Sequence, residues 1–166
     1  MNSSVKTVVD PLANFAFNQT LEQALQESKN YLRAWATDAD FVGKMNLPFS
    51  SNFDVLEATS LAQHWAGGDF SKLPEIEIRN GSEINGANGA FARTNNTIYL
   101  SQEFLMQNSG NSEEIADVLL EEIGHFVDAR INSSDAPGDE GEIFSSKTSA
   151  ISSLFPLFCI RNSCDR

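Results

Sequence analysis

Val118-Leu119-Leu120-Glu121-Glu122-Ile123-Gly124-His125-Phe126-Val127-Asp128 is the stretch on which the reading of this chain turns. On a helical wheel at about 100° per residue, residues 114–131 place Ile115, Val118, Leu119, Ile123 and Phe126 on one apolar arc. Glu122 falls inside that arc. An unpaired carboxylate among apolar side chains costs on the order of several kcal/mol, so Glu122 needs a partner, a proton or a polar ligand. Glu121, His125 and Asp128 gather on the adjoining face, and the i, i+4 spacing of Glu121 and His125 suits a joint grip on one ion. Gly124 inside a helix costs about 1 kcal/mol relative to alanine, which predicts something passing close to its backbone. By itself the E-x-x-x-H spacing also suits a solvated Glu–His pair on an amphipathic helix.

Working outward, the helix is predicted over about Ser112–Ile131, with Ser112 as N-cap and Glu113 and Glu114 in the first turn. Upstream, Ser101 starts a short helix to about Asn108, and Ala90–Leu100 reads as a hairpin turned at Asn95-Asn96. Three Asn-Gly pairs make Asn80–Gly89 a run of turns, and the alternation of Pro74–Arg79 predicts a strand. Two further helices are expected, from Thr20 to about Ala36 and from Asp54 to Trp65, the second stopped by Gly67-Gly68. Asp38–Ser51 reads as a loop with a helical turn near Phe41–Met45. Downstream, Asn132–Gly141 reads as a loop and Gly138–Phe144 as the opening of one more helix. The expected organisation is a flexible lead-in over 1–18, one domain over 19–145 and an irregular tail over 146–166. The fold class is α+β, mostly helical, with a small antiparallel sheet ahead of the central helix.

Composition narrows the function. The chain has 166 residues, a net charge of −12 and 41% hydrophobic residues, enough for one domain with a core. Such acidity argues against nucleic acid and against an anionic membrane surface as partners. Met1–Phe17 lacks the basic-then-apolar pattern of a signal peptide, and no stretch of about 18 apolar residues is present for membrane insertion. The two cysteines, Cys159 and Cys164, exclude a disulfide framework and a four-cysteine zinc site. The two histidines, His64 and His125, exclude a three-His metal site within one chain, so a metal site must be rich in carboxylates. His64, beside Trp65 late in its helix, reads as a packing or surface residue. No G-x-S-x-G elbow is present for a serine hydrolase, and neither cysteine has a histidine nearby in sequence to make it a nucleophile.

Glu121-Glu122-Ile123-Gly124-His125 resembles the H-E-x-x-H helix of zincin metallopeptidases with Glu in place of the first His. Asp139-Glu140-Gly141-Glu142-Ile143-Phe144 resembles the segment that carries the third ligand, a Glu, in the gluzincin branch. Asn85–Phe91, Asn96–Ser101, Leu119–Asp128 and Gly138–Gly141 together resemble a domain of large, mostly cyanobacterial, haemolysin-type calcium-binding proteins, over about residues 20–145. The calcium-binding repeats of such proteins are missing from the sequence. The resemblance implies a zincin-like module, an extracellular setting and a peptide or protein substrate. In its terms Glu121, His125 and Glu140 hold a metal, with Glu142 as the alternative to Glu140. Glu122 is the general base that activates water, and Asp128 orients a ligand from behind. In zincins an edge strand lines the substrate groove, and Thr97–Leu100 precedes the helix in that order; Tyr99 on that strand reads as structural. The metal is divalent, zinc first, with manganese, iron or calcium favoured by the extra carboxylate. Two other readings stay open. One is an inactive zincin-like fold. The other is a calcium-binding module built on Asp135, Asp139, Glu140 and Glu142, although their spacing is not that of an EF-hand.

Overall fold

The computed structural model describes the backbone of residues 11–132 and 140–152 and the side chains of 18–132 and 140–146. In chain order come α1 (Pro11–Ala36), α2 (Phe41–Phe49), α3 (Val55–Ala66), β1 (Glu75–Arg79), β2 (Gly89–Ala92), β3 (Thr97–Ser101), α4 (Gln102–Gln107), α5 (Ser112–Ile131) and α6 (Glu140–Ser152). The fold is α+β and mostly helical, with the small sheet ahead of α5.

Along α1, Leu21, Ala24, Leu32 and Trp35 repeat at helical spacing and are buried. Ser28 shares that stripe and donates its hydroxyl to Ala24 O at 2.8 Å, which satisfies it without leaving the helix. The helix begins at Pro11 rather than near Thr20, so 11–18 is helical rather than a flexible lead-in. Proline is tolerated in a first turn, where its missing N–H has no helical partner to lose. The loop expected over Asp38–Ser51 is largely α2. Gly43 and Pro48 lower its propensity, but Phe41, Met45, Pro48 and Phe49 are buried, and that packing outweighs propensity. In α3 the Asp54 carboxylate caps the first turn by accepting from Leu56 N at 2.9 Å and Glu57 N at 3.1 Å, and Gly67 stands at the other end.

The sheet order is β1-β3-β2. β2 and β3 form the antiparallel hairpin, with Phe91 opposite Ile98 and Asn96 in the left-handed region at φ 53° in the turn. The sheet is nevertheless mixed, because β1 pairs with β3 in parallel, Ile78 opposite Leu100. The connecting segment crosses β3 before the chain turns back: a 3-10 turn, Gly81–Ile84, runs into left-handed Asn85 (φ 58°) and Gly86 (φ 80°). The Glu103 carboxylate, bonded to backbone N–H groups including Gly81 N and to the Ser101 hydroxyl, ties this segment to α4, and those bonds hold it below the usual carboxylate range.

On α5, Ile115, Leu119, Ile123 and Phe126 are buried as expected, and Val118 packs half-buried against them. Ala116, Leu120, Val127 and Ile131 are buried as well, because α1, α3, α6 and the sheet all contact the helix. Asn111 caps it rather than Ser112, whose hydroxyl instead donates to Glu27 Oε1 at 3.0 Å. α6 runs antiparallel to α5, with the Ser145 hydroxyl donating to Asp117 O at 3.0 Å. Its Phe144 packs edge-on against Trp35, ring centroids 4.6 Å apart, and lies 5.6 Å from Phe49. Residues 146–152, expected as irregular tail, continue this helix. Cys159 and Cys164 lie outside the described residues. Among the described residues no helix is long and apolar enough to cross a membrane.

Candidate functional site

Strand β2 runs alongside α5, and its alternating side chains meet the helix in three successive contacts. A Cβ on Gly89 would lie 2.9 Å from Glu122 Oε1 and 2.7 Å from Val118 Cγ1, so only glycine leaves room for the Glu122 carboxylate. Two residues on, the Phe91 ring packs edge-on against Phe126 at 5.9 Å. Two further, Arg93 Nη2 donates to Ala129 O at 2.9 Å. The period of two puts Gly89, Phe91 and Arg93, the last one residue past the end of β2, on the side that faces the helix. The strand beside the candidate site is therefore β2, the sheet edge, and not Thr97–Leu100, which lies in the middle of the sheet and is mostly buried.

Ser101 N donates to Asn88 O at 2.8 Å, which fixes the phase of the antiparallel ladder. Bonded pairs alternate from there, so the N–H and C=O of Ala90 face β3, while those of Gly89 and Phe91 face the outer edge, which no strand among the described residues pairs. β2 thus offers backbone donors and acceptors to an extended chain.

The other wall comes from α6. At Gly124 and Gly141 the two helices touch backbone to backbone: a Cβ on Gly124 would lie 2.8 Å from Gly141 Cα and 3.0 Å from Phe144 Cβ. This is the close passage that a mid-helix glycine requires. A Cβ on Gly141 would lie 2.7 Å from Glu121 O and 2.7 Å from His125 Nε2, so the Nε2–Cδ2 edge of the imidazole rests on bare backbone. With that edge held, Nδ1 turns to the preceding residue of α6 and donates to Glu140 Oε1 at 3.1 Å.

Together these elements enclose a cleft of about 460 Å³, lined on the helix side by Glu121, Glu122, His125, Asp128 and Glu140. Glu122, Asp128 and Glu140 are buried, and Glu121 and His125 are half-buried. Glu142 is exposed and does not line the cleft, which leaves Glu140 as the acidic residue of α6 beside the imidazole. Asp128 accepts from Asn132 Nδ2 at 2.7 Å, and the same amide donates to Phe49 O at 3.3 Å, so Asp128 braces the end of α5. His64 sits apart, its Nδ1 2.7 Å from Ser60 O in the last turn of α3. Tyr99 accepts from Asn95 Nδ2 at 2.6 Å and lies under the Arg79 guanidinium, a structural setting.

The pair formed by His125 and Glu140 fits a metal edge as well as a hydrogen bond. Nitrogen and carboxylate ligands sit about 2.1 Å from zinc, which separates neighbouring ligands by roughly 3.0 to 3.4 Å. The observed 3.1 Å falls in that span. Glu121 shares the cleft, but no three His, Cys, Asp or Glu side chains converge at metal-ligand distance among the described residues. Asp135 and Asp139 lie outside the described residues.

Sequence reasoning missed two residues that line this cleft, Gly89 and Arg93, and one that supports its histidine from behind, Gly141. Gly89 was legible only as a turn glycine, Gly141 only as part of an acidic motif, and Arg93 carried no pattern at all. Each acts through a contact between segments distant in the chain. No protein-family model matches this chain, and no curated protein and no solved structure matches it either.

Proposed function

We propose that the protein is a metal-dependent peptide hydrolase of zincin-like design. Glu121, His125 and Glu140 would hold a divalent ion, zinc first, with manganese, iron or calcium as alternatives. The observation that carries this reading is the His125–Glu140 contact at ligand-edge distance, at the floor of a cleft that also presents Glu122 and an unpaired strand edge. Glu121, one turn before His125, lines the same cleft and would be the third ligand. The ion would supply positive charge that polarises a carbonyl and acidifies water.

The chain's own residues supply the rest. An extended peptide adds to β2 through the outward N–H and C=O groups of Gly89 and Phe91. That places its backbone over Glu122, the neighbour of Gly89. As water oxygen bonds to the carbonyl carbon, Glu122 accepts the water proton and then delivers it to the nitrogen as the C–N bond breaks. Action outside the cell belongs to the same proposal and rests on the likeness to haemolysin-type proteins.

A second reading has its own support. The His125–Glu140 contact is already a complete hydrogen bond that latches α5 to α6, which suits a peptide-binding module without catalysis. Digestion of a peptide library by the purified chain, with zinc or manganese added, separates the two. The hydrolase reading predicts cleavage that a chelator abolishes and that Glu122→Gln lowers by about 10²-fold or more. Equal cleavage by Glu122→Gln removes that residue from the mechanism. Peptide binding without cleavage under any ion establishes the module instead.

A further inference from the structure

We propose that Arg93 is a specificity-determining residue that receives a carboxylate of the peptide about three or four residues from the bond that is cut. The inference deepens the hydrolase reading and takes from it the peptide that lies along β2.

The cleft walls carry the carboxylates of Glu121, Glu122, Asp128 and Glu140, and among the described residues Arg93 is the one Lys or Arg that lines it. In a chain of net charge −12 such a cleft repels an acidic peptide everywhere except beside that guanidinium. Arg93 forms no ion pair among the described residues, although the cleft is rich in acids. One of its N–H groups is spent on Ala129 O, a carbonyl in the last turn of α5. That bond holds the guanidinium against the wall of the cleft, and the fork has donors to spare for a bidentate carboxylate. The side chain is exposed, so an incoming carboxylate reaches it without unpacking the core.

Distance sets the position read. Glu122 and Ala129 are the helix partners of Gly89 and Arg93, and seven residues at 1.5 Å rise separate them by about 10 Å. An extended peptide covers that in about three residues at 3.3 Å each, and the chain it pairs with takes four from Gly89 to Arg93, so the position read lies three or four residues from Glu122. The carboxylate can come from an Asp or Glu side chain or from the peptide's C-terminus, and the chemistry is the same.

The test is fluorescence anisotropy on the full chain carrying Glu122→Gln, which removes turnover. The probes are fluorescein-labelled peptides with Asp or Glu against Asn or Gln scanned through each position, with free or amidated C-termini. An acidic residue at one position is expected to tighten binding about tenfold, the scale of one charge-assisted hydrogen-bond pair. Arg93→Gln erases that preference, Arg93→Lys keeps part of it, and added salt weakens it. If amidation alone removes the preference, the anchored group is the C-terminus; if it does not, the side chain is anchored. A purely structural Arg93 would instead weaken every peptide alike in Arg93→Gln, which overturns the inference. Equal affinity for acidic and amide peptides before and after Arg93→Gln overturns it too, while library cleavage by the wild type leaves the hydrolase reading standing. Absence of both peptide binding and cleavage overturns both.

Discussion

Gly141 and Phe144 lie within one turn of each other on α6 and fix that helix by opposite means. Phe144 inserts the largest side chain of the helix's described part between Trp35 and Phe49 and is fully buried. Gly141 offers no side chain, and its bare backbone meets Gly124, Glu121 O and the His125 ring. The first contact decides whether α6 docks. The second decides where it docks, and with it whether Glu140 reaches His125. Stability and site geometry are thus written in neighbouring residues of one helix, which makes them separable by mutation.

The largest effect should come from the docking residue. Phe144→Ala leaves a cavity under Trp35 and should cost about 3–5 kcal/mol in urea unfolding, with site and fold lost together. A loss below about 1 kcal/mol would mean that α6 is not held by its aromatic anchor. Gly141→Ala should cost less, about 1–3 kcal/mol, because the added methyl strikes a backbone oxygen that cannot rotate away. Its specific mark is a displaced His125, read as a change in the imidazole NMR signals, whereas Phe144→Leu should lower stability and leave those signals in place. Signals that move equally in both variants would erase the distinction between the two anchors.

Gly89→Ala extends the comparison to the sheet side. Its methyl meets Val118 Cγ1 as well as the Glu122 side chain, so stability should fall by about 1–3 kcal/mol while peptide cleavage falls about tenfold or more. The smallest effect belongs to a control away from this crossing. The Arg130 side chain pairs with Glu57 at the exposed rim, Nε to Oε1 at 2.8 Å. Arg130→Ala should change stability by about 0–1 kcal/mol, less at high salt, and leave peptide affinity unchanged.

Much of this arrangement was legible in the chain. The apolar arc of α5, the intrusion of Glu122 into it and the demand of Gly124 for a close neighbour follow from period and propensity alone. The caps at Asp54 and Ser101 and the Asn95-Asn96 turn are local chemistry, and they sit where local rules put them. What escaped was non-local. The parallel pairing of β1 with β3 depends on a connection that passes across the sheet, and strand alternation does not reveal which neighbour a strand chooses. α2 forms against its own propensity because Phe41, Met45 and Phe49 have a core to enter. Gly89, Arg93 and Gly141 gain their meaning only from partners on α5, between 16 and 36 residues away in sequence and invisible to any local window along the chain.

The proposed cation site depends on the glycine crossing of α5 and α6, which sets Glu140 against His125. Native mass spectrometry of the full chain with added zinc, for wild type, His125→Ala and Gly141→Ala, tests it most directly. The expected result is a single bound ion in the wild type and none in either variant, with the helical circular dichroism of Gly141→Ala retained. A Gly141→Ala chain that keeps its helices and binds the ion as tightly as the wild type would contradict it.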